Sequence, residues 1–158
     1  MDFGPFYERF PDLAARETRS ATVGGNPYLP DGEYGLLELF CLTPGCDCRR
    51  VMFSIYQPDS PRLLATISYG WESAQFYADW YGDDDPAIIQ ELKGPSLNRW
   101  SPMSPLAPAL LALVKELLRD EAYVARVQRH YQLFKASVNA EAGSKKRRRS
   151  KRPSPNRK

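Results

Sequence analysis

The sequence predicts an α+β domain: a small three-stranded antiparallel meander packed against C-terminal helices and followed by a disordered basic tail. Three observations carry this prediction. Between Tyr34 and Trp71, three segments rich in aliphatic and aromatic residues are separated by short turn-forming stretches, "TPGCDC" and "PDSP", the pattern of strands joined as hairpins. After Trp71 the apolar period lengthens from two toward the helical value. From Ala140 to the end there is no large apolar side chain, so that segment cannot bury enough surface to offset the entropy of ordering.

Residues 1–32 form a weakly patterned N-terminal segment. "PDLAARETR" suits a short helix with Pro11 in its first position, where the missing N–H costs nothing. "GGNPYLPDGE" is dense in turn formers and reads as a loop. The α+β domain is expected over residues 33–138. Its first strand, Tyr34 to Leu42, is apolar on both parities apart from Glu38, as in a strand covered on two faces. The second, Arg50 to Gln57, puts Val51, Phe53 and Ile55 on one side, and the third, Arg62 to Trp71, alternates most regularly.

A helix capped near Ser73 follows, with Phe76 and Trp80, then Tyr77 and Tyr81, four residues apart. Asp85 before Pro86 starts a second helix, which stops at Gly94. Ser104-Pro105 starts a longer one, Pro105 to Arg119, with Leu106, Leu110, Leu113 and Leu117 on one stripe. The last, Glu121 to Val138, carries Tyr123, Val127, His130 and Phe134 at helical spacing. Residues 139–158 are the expected disordered cationic tail.

Composition sets the class. With 158 residues and 42% hydrophobic content the chain can build one real core. The tail from Ala140 holds nine basic residues and one acid, a charge of +8 in a chain totalling +3, which leaves −5 on the rest. Three cysteines are an odd number, and the N-terminus has no apolar leader, so a secreted disulfide framework is not expected. The longest apolar run, Leu106 to Val114, is nine residues, against the roughly 20 a membrane helix needs. A soluble, cytoplasmic protein without membrane contact is the expectation.

All three cysteines lie in "FCLTPGCDCRRV", as C-x4-C-x-C around Pro44-Gly45. Thiolates from the two arms of a hairpin can converge on one point, as zinc knuckles require. Cys46 and Cys48 would share a face if that arm is extended. Arg49 and Arg50 would offset the thiolate charge. The expected cofactor is a structural zinc ion held by Cys41, Cys46 and Cys48. His130, the one histidine, is the fourth ligand proposed; it also reads as a core histidine with one nitrogen satisfied. Asp47, a water or a second chain's thiolate are the other fourth ligands. Buried unreactive thiols and a redox pair are the competing explanations of the cluster.

Lys145, Lys146, Arg147, Arg148, Arg149, Lys151 and Arg152 give the tail the composition of a nucleic-acid or polyanion contact indifferent to sequence. Its bland counterpart is a solubilising, inert terminus. An alternative reading uses Asp83 and Asp84 with Glu91 and Lys93, whose E-x-K spacing resembles magnesium-dependent nucleases of the PD-(D/E)xK type. That resemblance covers these few residues, and the eight-residue gap from Asp83 to Glu91 leaves no room for the intervening turn and strand. No nucleophile elbow, phosphate loop or His-Glu metal motif occurs. The expected function is therefore a non-enzymatic, zinc-stabilised binding or adaptor protein whose tail contacts nucleic acid. A nuclease-like enzyme and a protein-interaction domain with an inert tail are the alternatives.

Overall fold

The structure is a computed structural model describing residues 2–151; Arg152, expected to contact nucleic acid, lies outside them. The chain runs β1 (Phe3–Pro5), α1 (Phe6–Arg9), α2 (Pro11–Glu17), β2 (Ser20–Val23), β3 (Gly32–Cys41), β4 (Arg50–Tyr56), β5 (Ala65–Gly70), α3 (Ala74–Tyr81), α4 (Pro86–Lys93), β6 (Ser96–Leu97), α5 (Ala107–Leu117) and α6 (Glu121–Ser150). The α+β class and the antiparallel meander β3-β4-β5 are as expected. The sheet, however, has six strands rather than three, ordered β1-β3-β4-β5-β6 with β2 also on β3.

The extra strands explain themselves by position. β1 pairs with the end of β3, Phe3 opposite Cys41, and β2 pairs with its start, Ser20 opposite Gly35. Together they cover the outer edge of β3, where unpaired N–H and C=O groups would otherwise face solvent. At three, four and two residues, β1, β2 and β6 are too short to show alternation. Their extended state comes from the partner strand rather than from their own propensity.

β3 is buried on one face only. Tyr34, Leu36, Glu38 and Phe40 point inward, whereas Leu37 and Leu39 are half-buried. Helix α6 covers the inward face: Phe40 packs on Phe134 with ring centres 5.6 Å apart, and Phe53 stacks on Tyr123 at 6.2 Å. Phe40, Phe53 and Phe134 are fully buried, each stabilising by roughly 1.5–3 kcal/mol relative to exposure.

The helix starts follow local chemistry. Ser73 Oγ accepts from Phe76 N at 3.1 Å, and Asp85 Oδ1 accepts from Ala87 N at 2.9 Å, each satisfying one of the N–H groups a helix start leaves open. Asp120 caps α6 in the same way.

Helix α6 corrects the expected disordered tail, since it continues through Arg147–Arg149 to Ser150. Lack of apolar anchors argues against packing, but it does not stop a helix already nucleated by a buried face. Adding a residue to an existing helix costs far less than starting one. Ala, Glu, Lys and Arg are good helix formers. Glu141 accepts from Lys145 at 3.0 Å and pairs with Arg9 at 2.9 Å, and cations in the last turn suit the helix dipole. The last buried residue is Val138, so a cationic stretch of about 18 Å extends past the core.

Two glycines separate close packing from open helix. A Cβ on Gly70 would lie 2.2 Å from Tyr77 Oη, and that hydroxyl cannot retreat freely because it donates to Arg49 O at 2.7 Å. Gly70→Ala should lower unfolding free energy by about 1–3 kcal/mol. At Gly143 a Cβ meets nothing, so Gly143→Ala should stabilise helix and protein by up to about 1 kcal/mol. Denaturant titration and circular dichroism read both signs.

Candidate metal centre

Cys41 is the last residue of β3, fixed from the side by β1: it pairs with Phe3, and Leu42 N donates to Asp2 O at 2.9 Å. The chain then leaves the sheet and turns through Thr43, Pro44 and Gly45. Gly45 adopts φ 73°, a left-handed conformation that costs other residues about 1–2 kcal/mol. β4 begins at Arg50, as expected, so Cys46 and Cys48 lie on the returning arm of an irregular loop before it. The alternation survives in effect: Asp47 is exposed, Cys46 is half-buried and Cys48 is fully buried.

The three Sγ atoms lie within 4.8 Å of one another. Zinc–sulfur bonds of about 2.3 Å in a tetrahedron place sulfurs about 3.8 Å apart. Closing onto an ion therefore needs shifts of about 1 Å or less, and the cluster can hold a metal ion. Among the described residues it is the one His/Cys/Asp/Glu trio gathered closely enough to do so.

The surroundings favour negative sulfur. Thr43 N donates to Cys41 Sγ at 3.4 Å. The hydrogen bond from Cys48, then Thr43 and the Lys135 charge, pull Cys41 down to about 4 against its burial. Its thiolate in turn pushes Cys48 up, and burial pushes Cys46 up. Of the two arginines expected to balance the thiolates, Arg49 is otherwise engaged: it forks onto Asp47 at 2.9 and 2.8 Å and reaches Glu72 at 3.3 Å. Arg50 makes no hydrogen bond to the sulfurs and donates instead to Leu92 O at 2.9 Å. Burial lowers its pKa, and the Cys48 and Cys41 charges oppose that shift.

Helix α6 supplies the rest of the support, through residues sequence reasoning missed. Tyr131, Lys135 and Asn139 are four apart, hence on one stripe. Tyr131 Oη accepts from Arg49 N at 3.1 Å, Lys135 Nζ donates to Cys41 O at 3.2 Å and Thr43 O at 2.6 Å, and Asn139 Oδ1 accepts from Gly45 N at 2.9 Å. Both arms and the apex of the loop are tied to one rigid element. Tyr131 and Tyr77 also hold Arg49 on both its backbone groups, which offsets the cost of its φ of 47°. The available signal was a lysine at helical spacing between an aromatic and an amide, on a helix otherwise facing the core.

His130 does not join the sulfurs. It precedes Tyr131 by one residue and so points about 100° away around the helix. Its Nδ1 faces Glu38 Oε1 at 2.9 Å, its Nε2 faces Glu17 Oε1 at 3.4 Å, and its ring stacks on Phe6 at 4.4 Å. It is fully buried as a pillar between α2, β3 and α6. Asp47, the other expected protein ligand, is held by Arg49. The described protein thus offers the ion three sulfurs.

The nuclease-like set is not gathered. Asp83 Oδ1 accepts from Asp85 N at 2.9 Å and shapes the start of α4, next to Asp84 in the same connection. Glu91 and Lys93 sit on that helix rather than on a strand, so two residues' separation turns them about 200° apart; in a strand they would share a face. Lys93 Nζ donates to Glu72 O instead. Lys145, Lys146, Arg147, Arg148 and Arg149 occupy the exposed end of α6, with Lys151 just beyond it.

Comparison with protein-family profiles, curated protein sequences and solved structures gives no match. No described helix is long and apolar enough to cross a membrane.

Proposed function

We propose that the protein is a non-enzymatic binding or adaptor protein whose cysteine loop is cross-linked by a structural zinc ion and whose cationic helix end contacts nucleic acid without sequence specificity. The observation that carries the metal reading is the convergence of Cys41, Cys46 and Cys48 within 4.8 Å on a loop tied down by α6. Three sulfur donors suit zinc over magnesium or calcium, and a structural site takes a fourth ligand, which in this reading is a second chain's thiolate or a water. When bound, the ion supplies a cross-link between the end of β3 and the arm leading into β4. Lys135, held against Cys41 O and Thr43 O, brings a positive charge beside the three thiolates. A general base beside the sulfurs, which a hydrolytic zinc would need, is missing among the described residues, since Asp47 is paired to Arg49.

The nucleic-acid reading rests on the exposed end of α6, where Lys145 to Arg149 follow without interruption. Consecutive residues on a helix point in all directions, so this rod presents cations around its circumference, which suits phosphates and reads no base sequence. An already helical segment also loses less entropy on binding than a coil would.

Changing Lys145, Lys146, Arg147, Arg148 and Arg149 together to Ala in the full chain tests it. The slope of log affinity for duplex DNA against log salt should shrink by about one unit for each phosphate that is no longer neutralised. An unchanged slope removes the helix end from the function.

A further inference from the structure

The back of the sheet, opposite α6, carries a cleft of about 600 Å³ between β4, α4 and the turn that follows β6. We infer that this cleft binds an unpaired nucleobase of a single-stranded nucleic acid, with Trp100 stacking on the base and Arg50 and Arg99 meeting the phosphates. The choice of nucleic acid as ligand rests on the function proposed above; the cleft itself is a separate site.

Trp100 lines the cleft and is 99% exposed. Exposed apolar residues are common singly, but the backbone that carries this ring is fixed. Asn98 Oδ1 accepts from Trp100 N at 3.1 Å, Ser101 N closes onto Asn98 O at 3.2 Å, and Asn98 N is tied to Thr66 O of β5 at 2.8 Å. The turn is thereby fixed to the sheet and holds the indole out at the mouth of a concavity. Tyr81, half-exposed, offers a second aromatic surface in the same cleft.

The cleft is cationic where a backbone would pass. Arg50 is 8% exposed yet forms no ion pair among the described residues; its Nε donates to Leu92 O at 2.9 Å, and its terminal nitrogens have no acceptor there. A buried guanidinium with free donors is a ready phosphate contact. Arg99 adds a second cation beside Trp100. Glu91, the one acid in the lining, is an acceptor of the kind that pairs with an exocyclic amino group, and Met52 supplies an apolar floor. Stacking, cations and a few polar groups in a groove are the combination by which proteins hold single strands. Inside a duplex the bases are already stacked, so presenting a face to Trp100 costs a few kcal/mol of unstacking per step.

The placement also joins the two contacts. Arg50 opens β4 directly after the cysteine loop, and Asn139, near the cationic end of α6, touches that loop's apex at Gly45. The cleft and the cationic helix end therefore flank the same end of the sheet.

The test measures full-chain affinity for short oligothymidylate, oligouridylate and a duplex of equal length, across salt, in wild type, Trp100→Ala, Trp100→Phe and the five-residue alanine variant of α6. Trp100→Ala should weaken binding of one or both single strands about tenfold or more, leave duplex affinity and the salt slope unchanged, and be partly rescued by Trp100→Phe. Because the side chain is exposed, the fold should be intact. Single-strand binding unchanged in Trp100→Ala overturns the cleft. If Trp100→Ala loses single-strand binding while the α6 variant keeps the wild-type slope, the cleft stands and the helix-end reading falls; the reverse pattern keeps the helix end and removes the cleft. No affinity for any of the three probes removes both.

Discussion

Protein purified without a histidine tag should contain about one zinc per chain, and Cys46→Ser should contain almost none. Cys46 is the cleanest position for this test because it is half-buried, so a hydroxyl there strands no group in the core. Cys41 and Cys48 are fully buried, and their loss would mix packing with coordination. Removing one of three sulfurs leaves two protein ligands, below what any structural zinc site uses. Metal binding of this kind is also folding energy. A chelator should therefore lower the midpoint of thermal unfolding, by the equivalent of about 4 kcal/mol where free zinc exceeds its dissociation constant a thousandfold.

Lys135→Met deepens the same test. It keeps the side chain's length but removes the charge near Cys41 and both hydrogen bonds to the loop, and outer-sphere changes of this type weaken metal sites by about 10–100-fold. Elemental analysis and chelator competition measure all three proteins. A metal-free wild type, or Cys46→Ser with wild-type zinc, removes the metal centre.

The meander, the four longer helices and the Ser73, Asp85 and Gly94 boundaries were legible because each rests on local chemistry: alternation, periodicity and capping. The cysteine loop was legible as a cluster for the same reason, three donors in eight positions. What pairing alone decides was not legible. β1 and β2 are strands because β3 has an open edge, and nothing inside "FGP" or "SATV" announces that. The support for the loop was hidden because Tyr131, Lys135 and Asn139 lie about ninety residues from it and belong to a helix whose neighbouring stripe reads as core. The tail was misread as far as Ser150, because anchoring and helix propagation are different quantities and sequence apolarity reports only the first.

Glu38 is the most instructive residue in that comparison. It interrupts an otherwise apolar strand, and the structure turns it inward with Tyr34, Leu36 and Phe40. A buried acid needs a partner, and the chain has one histidine facing the same core. The pair that forms, Glu38 with His130, uses up the ligand proposed for the metal.

His130→Ala should therefore destabilise the fold by about 3–5 kcal/mol without removing zinc. The imidazole is the one hydrogen-bond partner of the Glu38 carboxylate among the described residues, and breaking a buried pair by deleting one side leaves the other charge uncompensated. Burial holds the Glu38 carboxyl above its ordinary 4.5, with the His130 hydrogen bond pulling the other way. An acid raised on folding favours the folded state below its unfolded value and loses that contribution as pH rises through the folded one. Without His130 the folded value climbs further, so the penalty of His130→Ala should be small near pH 4 and grow toward pH 7.

Glu17 has the opposite sign. Arg129, and to a smaller degree His130, lower it, so its contribution is present above 4.5 and lost as pH falls through the lowered value. Arg129 remains in the variant, so Glu17 leaves the trend intact. Glu38→Leu combined with His130→Leu should recover most of the loss, since a buried pair replaced by apolar groups of similar volume is often neutral. Urea unfolding of wild type, His130→Ala and the double variant at pH 5 and pH 7 reads both effects. A penalty below about 1 kcal/mol at both pH values would mean the pair does not carry the junction of α2, β3 and α6. Loss of zinc from a folded His130→Ala would return the histidine to the sulfurs, because a side chain fully buried between Glu38 and Glu17 cannot also be a ligand on the neighbouring stripe of its helix.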